Sequence, residues 1–203
     1  MNSFTRYLRE HRNKIFAVSF SALAVILYAA AFLVGELTTN FSFFRSSSDN
    51  AGLLAMNVIS ALYCFVVYMI VFICNVRNDS TAYVGILLFV FYTAFSALMD
   101  FLEVSLMANP LLLTVFSLSA VEAGVGIALY VFVNRYRAGY AVNWKLIRGF
   151  AVAYAGILLL IAAMETWVYA SAASALSYGM FLSWSEAALG GAIVFTLERL
   201  RRF

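Results

Sequence analysis

Charge is what this sequence has least of. Of its 203 residues only 11% are Asp, Glu, Lys or Arg, whereas 65% are hydrophobic; a soluble domain carries about 25% charged and about 45–50% apolar residues. A chain of this size has too little interior to hide so much apolar surface from water, and a bilayer is the solvent that accepts it. Proline occurs once, at Pro110, and no low-complexity stretch or shift of composition marks a second domain. One polytopic membrane domain is expected over residues 1–203. The only histidine, His11, precedes the first apolar run, and none of the long apolar runs contains Lys or Arg. Within the membrane this excludes a nucleophile with a histidine base, a histidine-ligated zinc or haem, and a lysine Schiff base. There is no H-E-x-x-H, G-x-S-x-G or Walker A pattern. No cofactor and no metal are expected. Cys64 and Cys74 fall ten positions apart on one predicted helix, too far to bridge, and read as small buried hydrophobes.

What is present is a series of apolar runs, each near the roughly 20 residues that cross the hydrocarbon as a helix. Six segments qualify, at approximately 15–36, 51–76, 81–106, 110–133, 150–171 and 174–197. Asp49 and Asn50 are cap residues for the second, and Asn109-Pro110 places a cap before a proline at the first helical position of the fourth. The first run is preceded by too long a charged region for a cleaved leader and reads as a retained helix. The expected fold class is an all-α integral membrane protein with six transmembrane helices.

The basic residues orient it. Arg6, Arg9, Arg12 and Lys14 precede the first span, Arg77 lies between the second and third, Arg135, Arg137, Lys145 and Arg148 between the fourth and fifth, and Arg199, Arg201 and Arg202 come after the sixth. With six spans all of these share one side and only Arg45 faces the other, which places both termini in the cytoplasm. The loop from Leu37 to Asn50, with Phe41, Phe43 and Phe44, reads as an interfacial segment on the outer side. Ser3 to Lys14 reads as ordinary flanking charge, with a short basic helix on the inner leaflet as the alternative. These basic residues serve orientation, and no nucleic-acid partner is expected.

An internal repeat is legible. Phe116–Arg137 aligned without gaps on Met180–Arg201 gives L-S-x-x-E-A-x-x-G-x-A, six residues, then R-x-R, which pairs Glu122 with Glu186, Gly126 with Gly190, Arg135 with Arg199 and Arg137 with Arg201. Tyr83–Leu88 and Tyr154–Leu159 also resemble each other after a further shift of seven positions. The third and fourth helices together thus read as a parallel repeat of the fifth and sixth. The first and second form a possible third copy, in which Cys64 takes the place of Glu122.

Acids in a bilayer are costly, about 2.5 to 3.5 kcal/mol for Asp at a helix centre on insertion scales. Glu122 and Glu186 each lie about twelve residues into their spans, about 18 Å deep and near the midplane. Asp100 and Glu165 fall in the outer third of the third and fifth spans. Ser119 and Gly126 flank Glu122 on one helix face, and Ser183 and Gly190 flank Glu186 in the same way. Trp184, two residues before Glu186, is a candidate wall with cation–π capacity. The other aromatics, Tyr63, Tyr68, Tyr92, Trp167 and Tyr169, are less informative. Glu122, Glu186, Asp100, Glu165, Ser119, Ser183 and Trp184 form the candidate ligand- or cation-binding set. They point to a small-solute or ion transporter, or its membrane subunit, in the cell membrane, handling a small cation or a cationic or neutral solute. The alternative is a non-transporting sensor or assembly module that docks a cytoplasmic protein through its basic inner face. A two-carboxylate membrane enzyme ranks third.

Overall fold

The computed structural model describes the backbone of residues 3–37, 51–77, 79–106, 110–171 and 178–201, and the side chains of 11–34, 59, 61–77, 79–98, 117–167 and 179–201. Among them every regular element is helical: α1 (Ser3–Leu37), α2 (Ala51–Arg77), α3 (Ala82–Leu106), α4 (Pro110–Arg137), α5 (Trp144–Ser171) and α6 (Tyr178–Leu200). The interfacial loop 38–50, the cap residues Asp49, Asn50 and Asn109, and the side chains of Asp100 and Tyr169 lie outside the described residues.

Four helices carry described stretches long and apolar enough to cross a membrane: His11–Val34 in α1, Ser117–Arg137 in α4, Trp144–Trp167 in α5 and Gly179–Leu200 in α6. The described apolar stretches of α2 and α3, Ala61–Arg77 and Ala82–Leu98, are shorter. Large apolar side chains stand exposed on the outside of the bundle, among them Ile26, Leu33, Ile59, Phe91 and Val152. In water such a surface would be unstable; in hydrocarbon it is neutral while every backbone polar group is paired within its own helix. The protein is a helical membrane protein.

Consecutive helices pack side by side and α1 closes against α6, so the six form a ring in chain order; α3 also reaches α6 across it. The α1–α6 contact is the most extensive. Gly191 lets the Phe20 ring approach so closely that an added Cβ would lie 3.1 Å from it, and Phe195 packs on Phe16 and Phe20 with ring centroids 5.0 and 5.8 Å apart. On α6, Ala187, Ala188, Leu189, Ala192, Ile193 and Leu197 are buried, which makes α6 the central element.

Two boundaries differ from the expected ones. The Ser3–Lys14 segment is helical and continuous with α1 rather than a separate helix. The fifth helix begins at Trp144, because Asn143 Oδ1 accepts the Lys145 N–H at 2.9 Å and caps it. Before it, α4 ends in a left-handed Gly139 (φ 83°), with Tyr140 N–H bonded to Arg135 O at 3.1 Å, the glycine stop that a side chain would strain.

Candidate functional site

Helical periodicity puts a line of small and aromatic residues of α5 inside the bundle: Ile147, Ala151, Tyr154, Leu158 and Ala162 are all buried. Tyr154 is the polar member of that line and is fully buried. Its hydroxyl cannot be left unpaired at such a place without a penalty of about 1–3 kcal/mol, and it pairs with Thr93 Oγ1 of α3. Thr93 in turn donates to Phe89 O at 3.1 Å, one turn back on its own helix. Gly126 of α4 presses into this point: a Cβ there would meet Ala94 Cβ at 2.9 Å and Tyr154 Cε2 at 3.2 Å.

Two acids, one on α4 and one on α6, lie near this tyrosine. Glu122 on α4 is 7% exposed, and Glu186 on α6 is half-buried. Both lie within Coulombic range of the Tyr154 hydroxyl. Glu186 also lies within range of Tyr68 and Cys64 on α2. Around it the hydroxyls are engaged: Tyr68 O–H meets Ser185 Oγ at 3.1 Å, and Tyr28 O–H donates to Ala61 O at 2.9 Å. Cys64 sits within hydrogen-bonding reach of Tyr28 and Tyr92. The rings of Tyr28 and Tyr68 pack at 4.9 Å, and that of Tyr68 meets Phe89 edge-on at 5.8 Å. The bundle interior at this depth is therefore a polar cluster drawn from all six helices and sealed by aromatic packing.

A second polar group lies further along the α5–α6 seam. Ser183 Oγ donates to Glu165 Oε2 at 2.5 Å, a short contact. One residue on, Trp184 Nε1 donates to Thr166 Oγ1 at 2.8 Å. Ser183 and Glu186 stand three residues apart on one face of α6, so the pair adjoins the central cluster. Trp184 thus serves as a hydrogen-bonded stitch between α5 and α6.

Of the candidate residues legible in the sequence, Glu122 and Glu186 converge on Tyr154, and Glu165 pairs directly with Ser183. Ser119 is half-buried on α4, three residues before Glu122. Trp167, expected near an interface, is 72% exposed. Cys64 is half-buried, packs against the core and lies within electrostatic range of Glu186. Tyr154, Thr93, Tyr28 and Ser185 escape the sequence reading; the signal that marks them is a polar atom on the buried stripe of an apolar helix.

The opposite end of the bundle is built differently. Arg199, 6% exposed, donates from Nη1 to Asn75 O at 3.1 Å and from Nη2 to Asp79 O at 3.3 Å, capping the carbonyl end of α2, where a cation is favoured. Thr196 Oγ1 lies 3.0 Å from Asn75 Oδ1. Arg137 stacks over Tyr83 at 5.8 Å and Arg201 over Trp144 at 5.9 Å. Arg148 Nε meets Glu198 Oε1 at 3.0 Å. Asp79, in the α2–α3 turn, accepts the Thr81 N–H at 2.9 Å, which holds its carboxyl below the ordinary value of 3.8, with Arg77 and Arg199 adding to the effect.

Among the described residues no three His, Cys, Asp or Glu side chains gather closely enough to hold a metal ion. No protein-family model matches the chain, and no curated protein or solved structure matches it.

Proposed function

We propose that this protein is a small-solute or ion transporter, or the membrane subunit of one, working through a midplane carboxylate site formed by Glu122 and Glu186. The observation that carries this reading is that both acids lie within electrostatic range of one fully buried tyrosine, Tyr154. Ionisable groups at membrane depth are expensive to keep and mark substrate and ion pathways.

The same proposal includes six membrane crossings, both termini in the cytoplasm and residence in the cell membrane. Helices α2 and α3 are 27 and 25 residues long, enough for about 40 Å of rise each, and the arginines at the ends of α2, α4 and α6 then share the cytoplasmic side. It also includes a parallel repeat of helical hairpins. Glu122 to Glu186, Gly126 to Gly190 and Arg137 to Arg201 share an offset of 64 positions. Their partners share an offset of 61: Gly126 packs on Ala94 as Gly190 packs on Ala155, and Arg137 covers Tyr83 as Arg201 covers Trp144. That contact register pairs Tyr83 with Trp144, so the Tyr83–Leu88 and Tyr154–Leu159 likeness does not mark equivalent places: Tyr83 is the second residue of α3 and Tyr154 the eleventh of α5. An offset of 58 takes Cys64 to Glu122 and Arg77 to Arg135, in keeping with α1–α2 as a third copy. Transporter sites lie at the interface between such repeats.

The test is flux in proteoliposomes under an imposed gradient, comparing wild type with Glu122→Gln, Glu186→Gln. Flux that survives the double substitution in correctly folded protein removes the site from the mechanism.

A second reading, a module that docks a cytoplasmic partner, has its own support. Tyr140 is 62% exposed beneath the Arg135 guanidinium, 5.6 Å from its ring centroid, and the Arg148 side chain is 64% exposed. A partner that co-purifies with wild type and is lost from Arg135→Gln, Arg148→Gln would favour it.

A further inference from the structure

The geometry points to the proton as the species exchanged at the central site, reaching Glu186 and Glu122 from the outer side through the Glu165–Ser183 pair and barred from the inner side. This deepens the reading of the midplane site and rests on it and on the six-span orientation.

Three observations support it. The first is the closeness of the packing around Tyr154. Gly126 leaves no space there even for a methyl group, and among the described residues no three His, Cys, Asp or Glu side chains gather as a metal ion would require. A proton needs no cavity. It needs proton-bearing groups near one another, and the Glu165–Ser183 and Tyr154–Thr93 pairs on either side of Glu186 supply them.

The second is the order of the polar groups. Glu165 and Ser183 form a 2.5 Å contact in the outer third. Ser183 stands one helical turn before Glu186 on the same face of α6. Glu186 and Glu122 share Tyr154, whose hydroxyl is bonded to Thr93. Cys64 and Tyr68 of α2 lie within electrostatic range of Glu186 and Tyr154 of α5 within range of both acids, with Tyr28 of α1 and Tyr92 and Thr93 of α3 next to these groups. All are neutral when protonated and none is basic.

The third is the apolar stretch on the inner side of the acids. From Ala187 to Phe195 α6 carries no polar side chain, a stretch of about 15 Å. On α2 the residues between Tyr68 and Asn75 offer no oxygen or nitrogen side chain either. Val71, Leu189 and Ile193 are wholly buried in that gap. Beyond it stands the Arg199 guanidinium, fixed on Asn75 and Asp79 carbonyls, and a fixed cation repels protons and cations.

Each exchange moves one proton and no electrons. The O–H bond of a carboxyl group breaks as an O–H bond forms on the neighbouring oxygen. Ser183 relays by taking a hydrogen on its oxygen while giving up its own. The carboxylate left behind is reprotonated from the outer side.

The experiment is a one-sided pH jump on oriented proteoliposomes, monitoring the carboxyl C=O infrared bands. The bands are assigned to the central acids by their loss in Glu122→Gln, Glu186→Gln. In wild type an outer jump is expected to shift them and an inner jump to leave them unchanged. Glu165→Gln and Ser183→Ala should slow the outer response by about a hundredfold, the scale of a positioned proton-transfer group, and Ser183→Thr, which keeps the hydroxyl, should restore it. An equal response to inner pH, or an outer response untouched by Glu165→Gln and Ser183→Ala, overturns the inference. Carboxyls that titrate from outside in a protein with no flux would remove the transport reading and leave this one standing.

Discussion

The hairpins α3–α4 and α5–α6 have two contacts in common and differ in chemistry. In each, a glycine of the second helix lies against an alanine of the first, and an arginine at the second helix's end covers an aromatic ring at the first helix's start. At the matching buried place, however, α3 carries Thr93 and α5 carries Tyr154, and these two are bonded to each other. In α5–α6 a carboxyl–serine contact, Glu165 with Ser183, joins the two helices. What repeats is what packing demands: close approach of helices without a hydrophobic driving force requires small residues. What differs is the polar inventory, and it differs where the two hairpins meet.

The largest effects should come from breaking the shared contacts. Gly126→Ala puts a methyl group 2.9 Å from Ala94 Cβ and against the Tyr154 ring, whereas at Gly190 the nearest atom, Leu158 Cδ1, is 3.0 Å away and can move, although Ala155 Cα at 3.2 Å cannot. Overpacking of this kind costs about 1–3 kcal/mol. Thermal unfolding in detergent should show Gly126→Ala as the more destabilised of the two; equal and negligible losses would mean that the register of the hairpins is not as described.

Next come the hydroxyls that make the hairpins different. Tyr154→Phe removes the bond to Thr93 but leaves Thr93 its own carbonyl partners, so a loss of about 1 kcal/mol is expected. Thr93→Val takes away the hydrogen-bond partner of the buried Tyr154 hydroxyl and should cost more, up to about 3 kcal/mol. Denaturation of the two variants side by side gives the order, and the reverse order would show that the tyrosine has another partner.

Smaller still are the stacked arginines. Arg137→Gln and Arg201→Gln should each lose about 0.5–1 kcal/mol, the scale of an exposed cation–π contact, and by similar amounts if the hairpins are equivalent at this end. The smallest effect concerns Asp79. Its folded carboxyl titrates below its ordinary value because the Thr81 N–H holds the ionised form. Its contribution to stability is therefore present above pH 3.8 and fades as the pH falls from there through the folded value. Asp79→Asn should flatten the acid side of the stability curve slightly, and an unchanged slope would remove this contribution.

The helical membrane class is legible in the sequence because it depends on a one-dimensional quantity, the length of apolar runs, and an acid inside such a run is conspicuous. Glu122 and Glu186 stand out that way. The start of α5 does not, because Lys145 and Arg148 read as loop charge while the deciding signal is one cap residue, Asn143. Glu165 and Ser183 are each conspicuous, yet their partnership is hidden because it joins two helices across 18 positions of sequence. Tyr154 is one of twelve tyrosines, and its place on a buried stripe becomes meaningful only when Thr93 and Gly126 arrive from other helices.

The measurement that bears most directly on the central claim is gradient-driven flux in proteoliposomes, with internal pH and cation content recorded together, for wild type and for Glu122→Gln, Glu186→Gln. A midplane carboxylate site predicts a wild-type flux that the double substitution abolishes while the protein remains folded. A wild-type flux that persists in the double variant would contradict it.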